Sequence, residues 1–239
     1  MHTQAESRLQ SEVLEDLRGA RHYRRWLVRL VSPYLGEDPI EFGSGIGDYA
    51  AELAVGRRRF TATEPDPDRY AALAARFADD PVVQVRQLEL PVPEVEGQTK
   101  EHTGAVLLNV LEHIADDVAA LRSVAGMVRP GGAVVVFVPA FPGAMSRFDR
   151  LIGHYRRYTR ASLTDAMTAA GLTIERLHYV NSVGLISWFL LMRCCRMIPR
   201  DTLALRTYDA TVIRSVAWAE QRFRPPFGQS VLGVGRVQG

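Results

Sequence analysis

The stretch Glu41-Phe42-Gly43-Ser44-Gly45-Ile46-Gly47-Asp48 decides how this chain is read. It follows a short apolar run, Pro39 to Phe42, and precedes a helical pattern, Asp48 to Ala54. Glycines between a strand and a helix permit a tight turn and let backbone amides approach a ligand closely. A dinucleotide fingerprint needs a small residue three positions after the second glycine. Asp48 stands there instead. An acid at that helix start repels a pyrophosphate but not a sulfonium or an amino group. Glu41, just before the turn, has the same logic and suits a ligand bearing an ammonium.

Outward from this turn the pattern alternates. Strands are predicted at Phe60 to Thr63, Val82 to Leu90, Ala105 to Val110 and Ala133 to Val138. Helices are predicted at Pro67 to Phe77 and Asp116 to Val128, with Arg129-Pro130-Gly131-Gly132 as a turn. Such alternation implies βαβ units and a parallel sheet covered on both faces. Right-handed crossovers then gather the strand C-terminal ends on one edge, where ligands bind. Glu64 closes the second strand, seventeen positions after Gly47. A carboxylate there can accept hydrogen bonds from both ribose hydroxyls.

The flanks are less regular. Glu6 to Leu35 carries apolar positions at helical spacing, one or two helices, with Gly36 as the stop. Ala140 to Arg160 is a long connection rich in Arg and aromatics, and such loops are more often functional than idle. A helix (Ala161 to Ala170), a strand (Thr173 to Tyr179), two further helices (Val183 to Cys195, Leu203 to Arg222) and a last strand (Ser230 to Val237) follow.

Composition sets bounds. The 239 residues, 47% apolar and 23% charged with a formal net charge of +2, suit one sizeable α/β domain. Such a charge balance offers no polyelectrolyte face for nucleic acid. Cys194 and Cys195 are adjacent, which excludes a disulfide framework and points to a reducing compartment. Met1 to Asp16 has no apolar signal core, and the longest apolar run, Val183 to Met192, is about half a bilayer span. A cytoplasmic location is expected. The six histidines are scattered and there is no His-Glu-x-x-His, so no metal site is expected.

From Pro39 to Ala140 the chain resembles the class I S-adenosylmethionine-dependent methyltransferases, and within them the ubiquinone and menaquinone methyltransferase group. Five motifs carry the resemblance, in order: Glu41 to Gly47; Glu64 with Pro65; Leu88-Glu89-Leu90; Asn109-Val110-Leu111-Glu112-His113-Ile114; and Arg129 to Gly132. It departs at Thr103-Gly104, where Phe-Asp is usual, and at Glu89, where Asp is commoner.

The resemblance implies a Rossmann-like seven-stranded sheet, mostly parallel with an antiparallel last strand and helices on both faces. The chain is read as one methyltransferase domain over 1–239: a helical cap (1–36), a cofactor-binding core (37–140) and a substrate side (141–239). It implies S-adenosyl-L-methionine as cofactor and S-adenosyl-L-homocysteine as product. Glu41, Gly43, Ser44, Gly45 and Gly47 would meet the methionine part. Glu64 and Pro65 would meet the ribose, Leu88, Glu89 and Leu90 the adenine. Asn109, Val110 and His113 would pass beneath the methionine.

Downstream, Gly153-His154-Tyr155-Arg156-Arg157-Tyr158 looks like a Gly-His-x-Arg-Arg-Tyr motif of a bacterial subgroup linked to glycan and secondary-metabolite pathways. His154 is the first candidate for general base on a hydroxyl acceptor and His113 the second. The competing readings are that His113 only shapes the cofactor pocket and that His154 only anchors the loop through Asp149. Substrate-side candidates are Tyr23, Trp26, Tyr155, Arg156, Arg157, Tyr158, Asn181 and Trp188. For the arginines the alternatives are an anion clamp and bridges to Asp149 or Asp165. The expected partner is a small molecule; the apolar Val183 to Cys195 helix is read first as a core or dimer-contact helix, with a substrate wall or peripheral contact to a lipid-linked precursor as the alternative. No nucleic acid is expected, and monomer and homodimer stay open. O-methylation leads; N- or C-methylation, a nicotinamide oxidoreductase, an RNA methyltransferase and a non-catalytic cofactor-binding scaffold are the rivals.

Overall fold

The computed structural model describes residues 20–92, 100–188, 207–220 and 222–239. Seven strands form one sheet: β1 Ile40–Phe42, β2 Phe60–Glu64, β3 Val83–Gln87, β4 His102–Leu108, β5 Val128–Pro139, β6 Leu172–Val180 and β7 Ser230–Val237. Their spatial order is β3-β2-β1-β4-β5-β7-β6. β1 to β5 run parallel, and β7 lies antiparallel between β5 and β6. The fold expected from the sequence is therefore the fold observed.

Each crossover helix starts where its first-turn chemistry allows. α1 is Arg21–Val31 and α2 is Asp48–Leu53. α3, Pro67–Arg76, places proline in the first turn and Asp66 as N-cap, whose carboxylate accepts from the Arg69 N–H at 3.0 Å. α4, Asp117–Met127, is capped in the same way by Asp116 on the Ala119 N–H at 2.9 Å. α5 is Arg147–Leu151, α6 Arg160–Ala169 and α7 Ser182–Trp188. A π-helical turn, Asp209–Ile213, leads into α8, Arg214–Glu220.

The helices cover both faces of the sheet, and each face has its own core. One contains Ile40, Phe42, Leu107, Leu121, Val136 and Leu163; the other contains Trp26, Leu27, Phe60, Leu73, Val106 and Phe137. This two-sided burial explains the unbroken apolar run Ala133 to Val138, since a strand covered on both faces needs no polar alternation.

Four expectations are refined. Arg129 to Gly132 is not a plain turn: β5 begins at Val128, and the pairing with β4 steps from His102–Val128 to Gly104–Ala133 across a bulge. The connection after Pro139 is ordered by a 3-10 turn, Pro142–Ala144, and by α5, and Ala140 bridges to Tyr158. The strand expected at Val82 to Leu90 pairs only to Gln87, leaving Leu88 to Leu90 beyond the sheet edge. The apolar helix is described as Ser182–Trp188; its continuation to Cys194 and Cys195 lies outside the described residues, as do the first N-terminal helix and residues 203–206. Among the described residues, no helix is long and apolar enough to cross a membrane.

Candidate functional site

The C-terminal ends of β1, β2 and β4 bring the predicted cofactor residues to one edge. Gly43, Gly45 and Gly47 all have positive φ, at 66°, 58° and 87°. At Gly43 there is also no room: an added Cβ would lie 2.6 Å from a Val110 methyl. At Gly47 it would lie 2.5 Å from the Phe77 ring. Val110 follows β4, so the first turn and the fourth-strand motif are in direct contact.

The turn is tied to the two acids beside it. The Ser44 hydroxyl donates to Glu41 Oε2 at 2.8 Å, and the Gly45 N–H donates to Glu64 Oε2 at 2.9 Å. Glu64 Oε1 accepts from Arg69 Nε at 2.9 Å and from the Asp66 N–H at 3.2 Å. Both carboxylates are buried, Glu41 at 2% and Glu64 at 3% exposure. Burial pushes the Glu41 carboxyl up to about 7; the Ser44 bond opposes this and the charge of Glu64 adds to it.

These residues fit S-adenosylmethionine by the chemistry of the donor set. Two buried acids flank the glycine turn, and the guanidinium bonded to its backbone, Arg76 on Ile46 O at 2.8 Å, is also committed to Asp48 at 2.7 Å. Three of the roughly four acceptor sites on Glu64 are already used. A ribose would take the remaining site and compete with Arg69 for another.

The other predicted cofactor residues lie along the same edge. Pro65 and Glu89 are exposed, while Leu88 and Leu90 pack half-buried against the core. Asn109 takes a left-handed conformation, φ 54°, and its N–H donates to Phe137 O at 2.8 Å. His113 is half-buried, with its N–H bonded to Val110 O at 2.9 Å.

The loop after β5 folds back over this edge. The Tyr155 N–H donates to Glu112 O at 2.8 Å, which seats the imidazole of His154 against that of His113, ring centroids 4.5 Å apart and edge to face. His154 Nδ1 lies 3.1 Å from Asp149 Oδ1. Burial would raise the Asp149 carboxyl, but bonds from His154, Arg157 and Ser146 and the charge of Arg157 outweigh it and hold it well below the usual carboxylate range. An ionised carboxylate only accepts, so Nδ1 is the donor in this pair and Nε2 points away from Asp149. Both predicted histidines thus come together.

The substrate-side candidates divide. Tyr155 is exposed. Arg156 is partly exposed and pairs with Asp117 at 2.8 Å. Arg157, read either as an anion clamp or as a bridge to Asp149 or Asp165, is buried as a bridge to Asp149: Nε and a terminal nitrogen donate to Asp149 Oδ1 at 3.1 and 2.7 Å, and the other terminal nitrogen donates to Ala140 O at 3.2 Å. Tyr158 is buried too, its hydroxyl donating to Asp117 at 2.8 Å. Burial of these two follows from the Ala140–Tyr158 bridge, which turns them under the loop. Trp26 lies in the core, and Tyr23 packs beside it. Asn181, φ 63°, is a buried joint: its Nδ2 donates to Gln229 at 2.8 Å and its N–H to Glu220 at 2.9 Å. Trp188 ends α7, and its side chain lies outside the described residues.

Asp149, named in the sequence reading only as an alternative anchor for His154 and the arginines, is the hub of the loop, fixed by the Ser146-x-x-Asp149 capping box. Glu112 is fully buried, and neither carboxylate oxygen has a hydrogen-bond partner. Its only signal was a charge inside the apolar run Val110 to Ile114. Glu112, His113 and His154 offer donor atoms that all lie within 4.8 Å of one another.

Comparison with known proteins bears on the fold and the cofactor. Residues 40–134 match the family described as "Methyltransferase domain". A Mycolicibacterium smegmatis protein named "Probable S-adenosylmethionine-dependent methyltransferase" is 29% identical over 154 residues, covering 62% of this chain and 56% of the relative. A ubiquinone/menaquinone biosynthesis C-methyltransferase of Rubrivivax gelatinosus is 28% identical over 127 residues, covering 51% and 48%. The chain thus spans about half the length of these curated relatives. A solved S-adenosylmethionine-dependent methyltransferase from Mesorhizobium loti superposes with a TM-score of 0.59 at 15% identity, covering 88% of this chain and 95% of that one. The architecture is that of the Rossmann-like S-adenosylmethionine methyltransferases.

Proposed function

We propose that this protein transfers a methyl group from S-adenosylmethionine to a hydroxyl oxygen of a small molecule, releasing S-adenosylhomocysteine. One observation carries the reading: the glycine turn is bonded on both sides to buried acids, Glu41 through Ser44 and Glu64 through Gly45. The match of residues 40–134 to the methyltransferase domain supports it.

Glu64 would hold the ribose hydroxyls and Glu41 would face the methionine ammonium. Gly43 to Gly47 and Val110 would line the methionine part, with Leu88, Glu89 and Leu90 toward the adenine. The bound cofactor supplies a methyl carbon already activated by its sulfonium sulfur. The chain has then to align the acceptor and to take one proton. Alignment is worth up to about 7–11 kcal/mol in the best intramolecular cases. A general base adds typically about 10²–10⁴-fold. His154 Nε2 would take that proton, a reading supported by the bond that holds Nδ1 on Asp149 at the other side of the ring. Tyr155 and Arg156 sit on the same loop and would meet the acceptor. That this chemistry serves a secondary-metabolite or glycan precursor in the cytoplasm is part of the same reading.

The test is calorimetric titration with S-adenosylhomocysteine, with NAD as control. Micromolar-range binding, about −8 kcal/mol, lost in Glu64→Ala and absent with NAD, is the expected outcome. Preference for NAD, or no binding, removes the cofactor assignment. His154→Ala should lower turnover while leaving this titration unchanged.

A further inference from the structure

Glu112 is the least satisfied group in the described structure. A buried carboxyl with no hydrogen-bond partner is either held neutral by its burial or compensated by a cation beside it. Its carboxylate lies close to two imidazoles: His154 Nε2 is 3.9 Å from Glu112 Oε1, and a His113 nitrogen completes a set of donors within 4.8 Å. Two imidazoles and one carboxylate, converging from two chain segments, are a donor set that divalent transition metals take.

We infer that Glu112, His113 and His154 form a binding site for a divalent transition-metal cation of the zinc, cobalt or manganese kind, built under the loop that covers the sheet edge. The second layer supports this. A ligating histidine normally donates its other ring N–H to a carboxylate, which fixes the ring and raises the basicity of the ligating nitrogen. Asp149 holds His154 Nδ1 in this way and is itself fixed by Ser146 and Arg157. Zinc–nitrogen bonds of about 2.0 Å put tetrahedral donors about 3.3 Å apart. The observed spread therefore asks for side-chain movements of the order of an ångström.

Sequence spacing hides the site because Glu112 and His113 lie more than forty residues before His154, and the two segments meet only in the fold, through the Tyr155–Glu112 backbone bond and the bonds of Arg156 and Tyr158 to Asp117. Three protein ligands leave at least one open position. On the methyltransferase reading, that position would take the acceptor oxygen; a bound cation lowers the pKa of such an oxygen. His154 Nε2 would then serve as ligand rather than base. The site itself does not depend on that reading.

The experiment is titration of chelator-treated, tag-free protein with Zn(II) and with Co(II). Calorimetry gives the stoichiometry, the visible spectrum of Co(II) reports its coordination, and NMR follows the histidine ring protons. The expected result is one tight equivalent, with the His113 and His154 resonances selectively perturbed in the unaltered protein. Glu112→Gln and His154→Gln should each weaken binding by at least 10-fold. Asp149→Asn should weaken it by about 10–100-fold through loss of orientation. His22→Gln, whose imidazole pairs with Asp209 on another face, should change nothing. Absence of a stoichiometric site, perturbation of other histidines only, or unchanged affinity in both ligand variants overturns the inference. S-adenosylhomocysteine titrated into the same samples separates the two readings. Cofactor binding without metal binding removes the metal site alone. Metal binding without cofactor binding keeps the metal site and removes the methyltransferase assignment.

Discussion

Replacing Arg157 by Ala should destabilise the fold rather than weaken substrate binding. The guanidinium is 3% exposed and its partner carboxylate, Asp149, 1% exposed. The substitution removes two charge-assisted bonds to Asp149 Oδ1 and one to Ala140 O. It leaves a buried carboxylate with only the Ser146 N–H and hydroxyl, each at 2.6 Å, and His154 at 3.1 Å. Breaking one side of a buried ion pair costs about 3–5 kcal/mol. Three surviving donors place the expected loss near the lower end, about 3 kcal/mol. For a chain of this size that is a fall in Tm of roughly 6–12 °C. Urea unfolding followed by circular dichroism gives the change through the midpoint at constant m. Asp149→Asn alone and Asp149→Asn/Arg157→Ala together complete a double-mutant cycle, whose coupling should account for most of the loss. A loss below about 1 kcal/mol, together with a raised KM for an anionic acceptor, would refute the reasoning and return Arg157 to the substrate.

Gly43→Ala should cost about 2–4 kcal/mol, combining a left-handed backbone at φ 66° with a Cβ 2.6 Å from Val110. Adding Val110→Ala should recover only the steric part, which denaturant unfolding of the three variants resolves. S-adenosylhomocysteine binding should depend on pH through Glu41. Its carboxyl is pushed up to about 7, mainly by burial, and the ligand ammonium favours the ionised form. Affinity should therefore rise by up to about tenfold per pH unit toward pH 7 and level off above it. The sign for folding is opposite: a carboxyl raised above its ordinary value of 4.5 is held protonated by the fold, so its ionisation costs stability as pH rises through about 7. Calorimetry across pH with Glu41→Gln as control checks this, and the variant should lose the slope.

How much was legible in the sequence follows from the range of each signal. The strands and crossover helices are local patterns: alternating apolar runs, Asp and Pro at helix starts, Gly at turns. They predicted the sheet and its antiparallel β7 through the resemblance, and they brought Glu41, the glycines and Glu64 to one edge. That worked because in a parallel α/β sheet chain direction alone decides which end of each strand a residue occupies. Nothing local told Arg157 and Tyr158, which turn under the loop, from Tyr155 and Arg156, which stay nearer its surface. That division comes from the Ala140–Tyr158 bridge and the capping box at Ser146. Trp26 and Asn181 were ambiguous for the same reason, since aromatic spacing and a lone amide do not say which neighbour will bury them. The convergence of Glu112, His113 and His154 was the most distant from the sequence. Burial, and with it the protonation and ligating power of a carboxylate, is set by atoms that arrive from more than forty residues away only after the chain has folded.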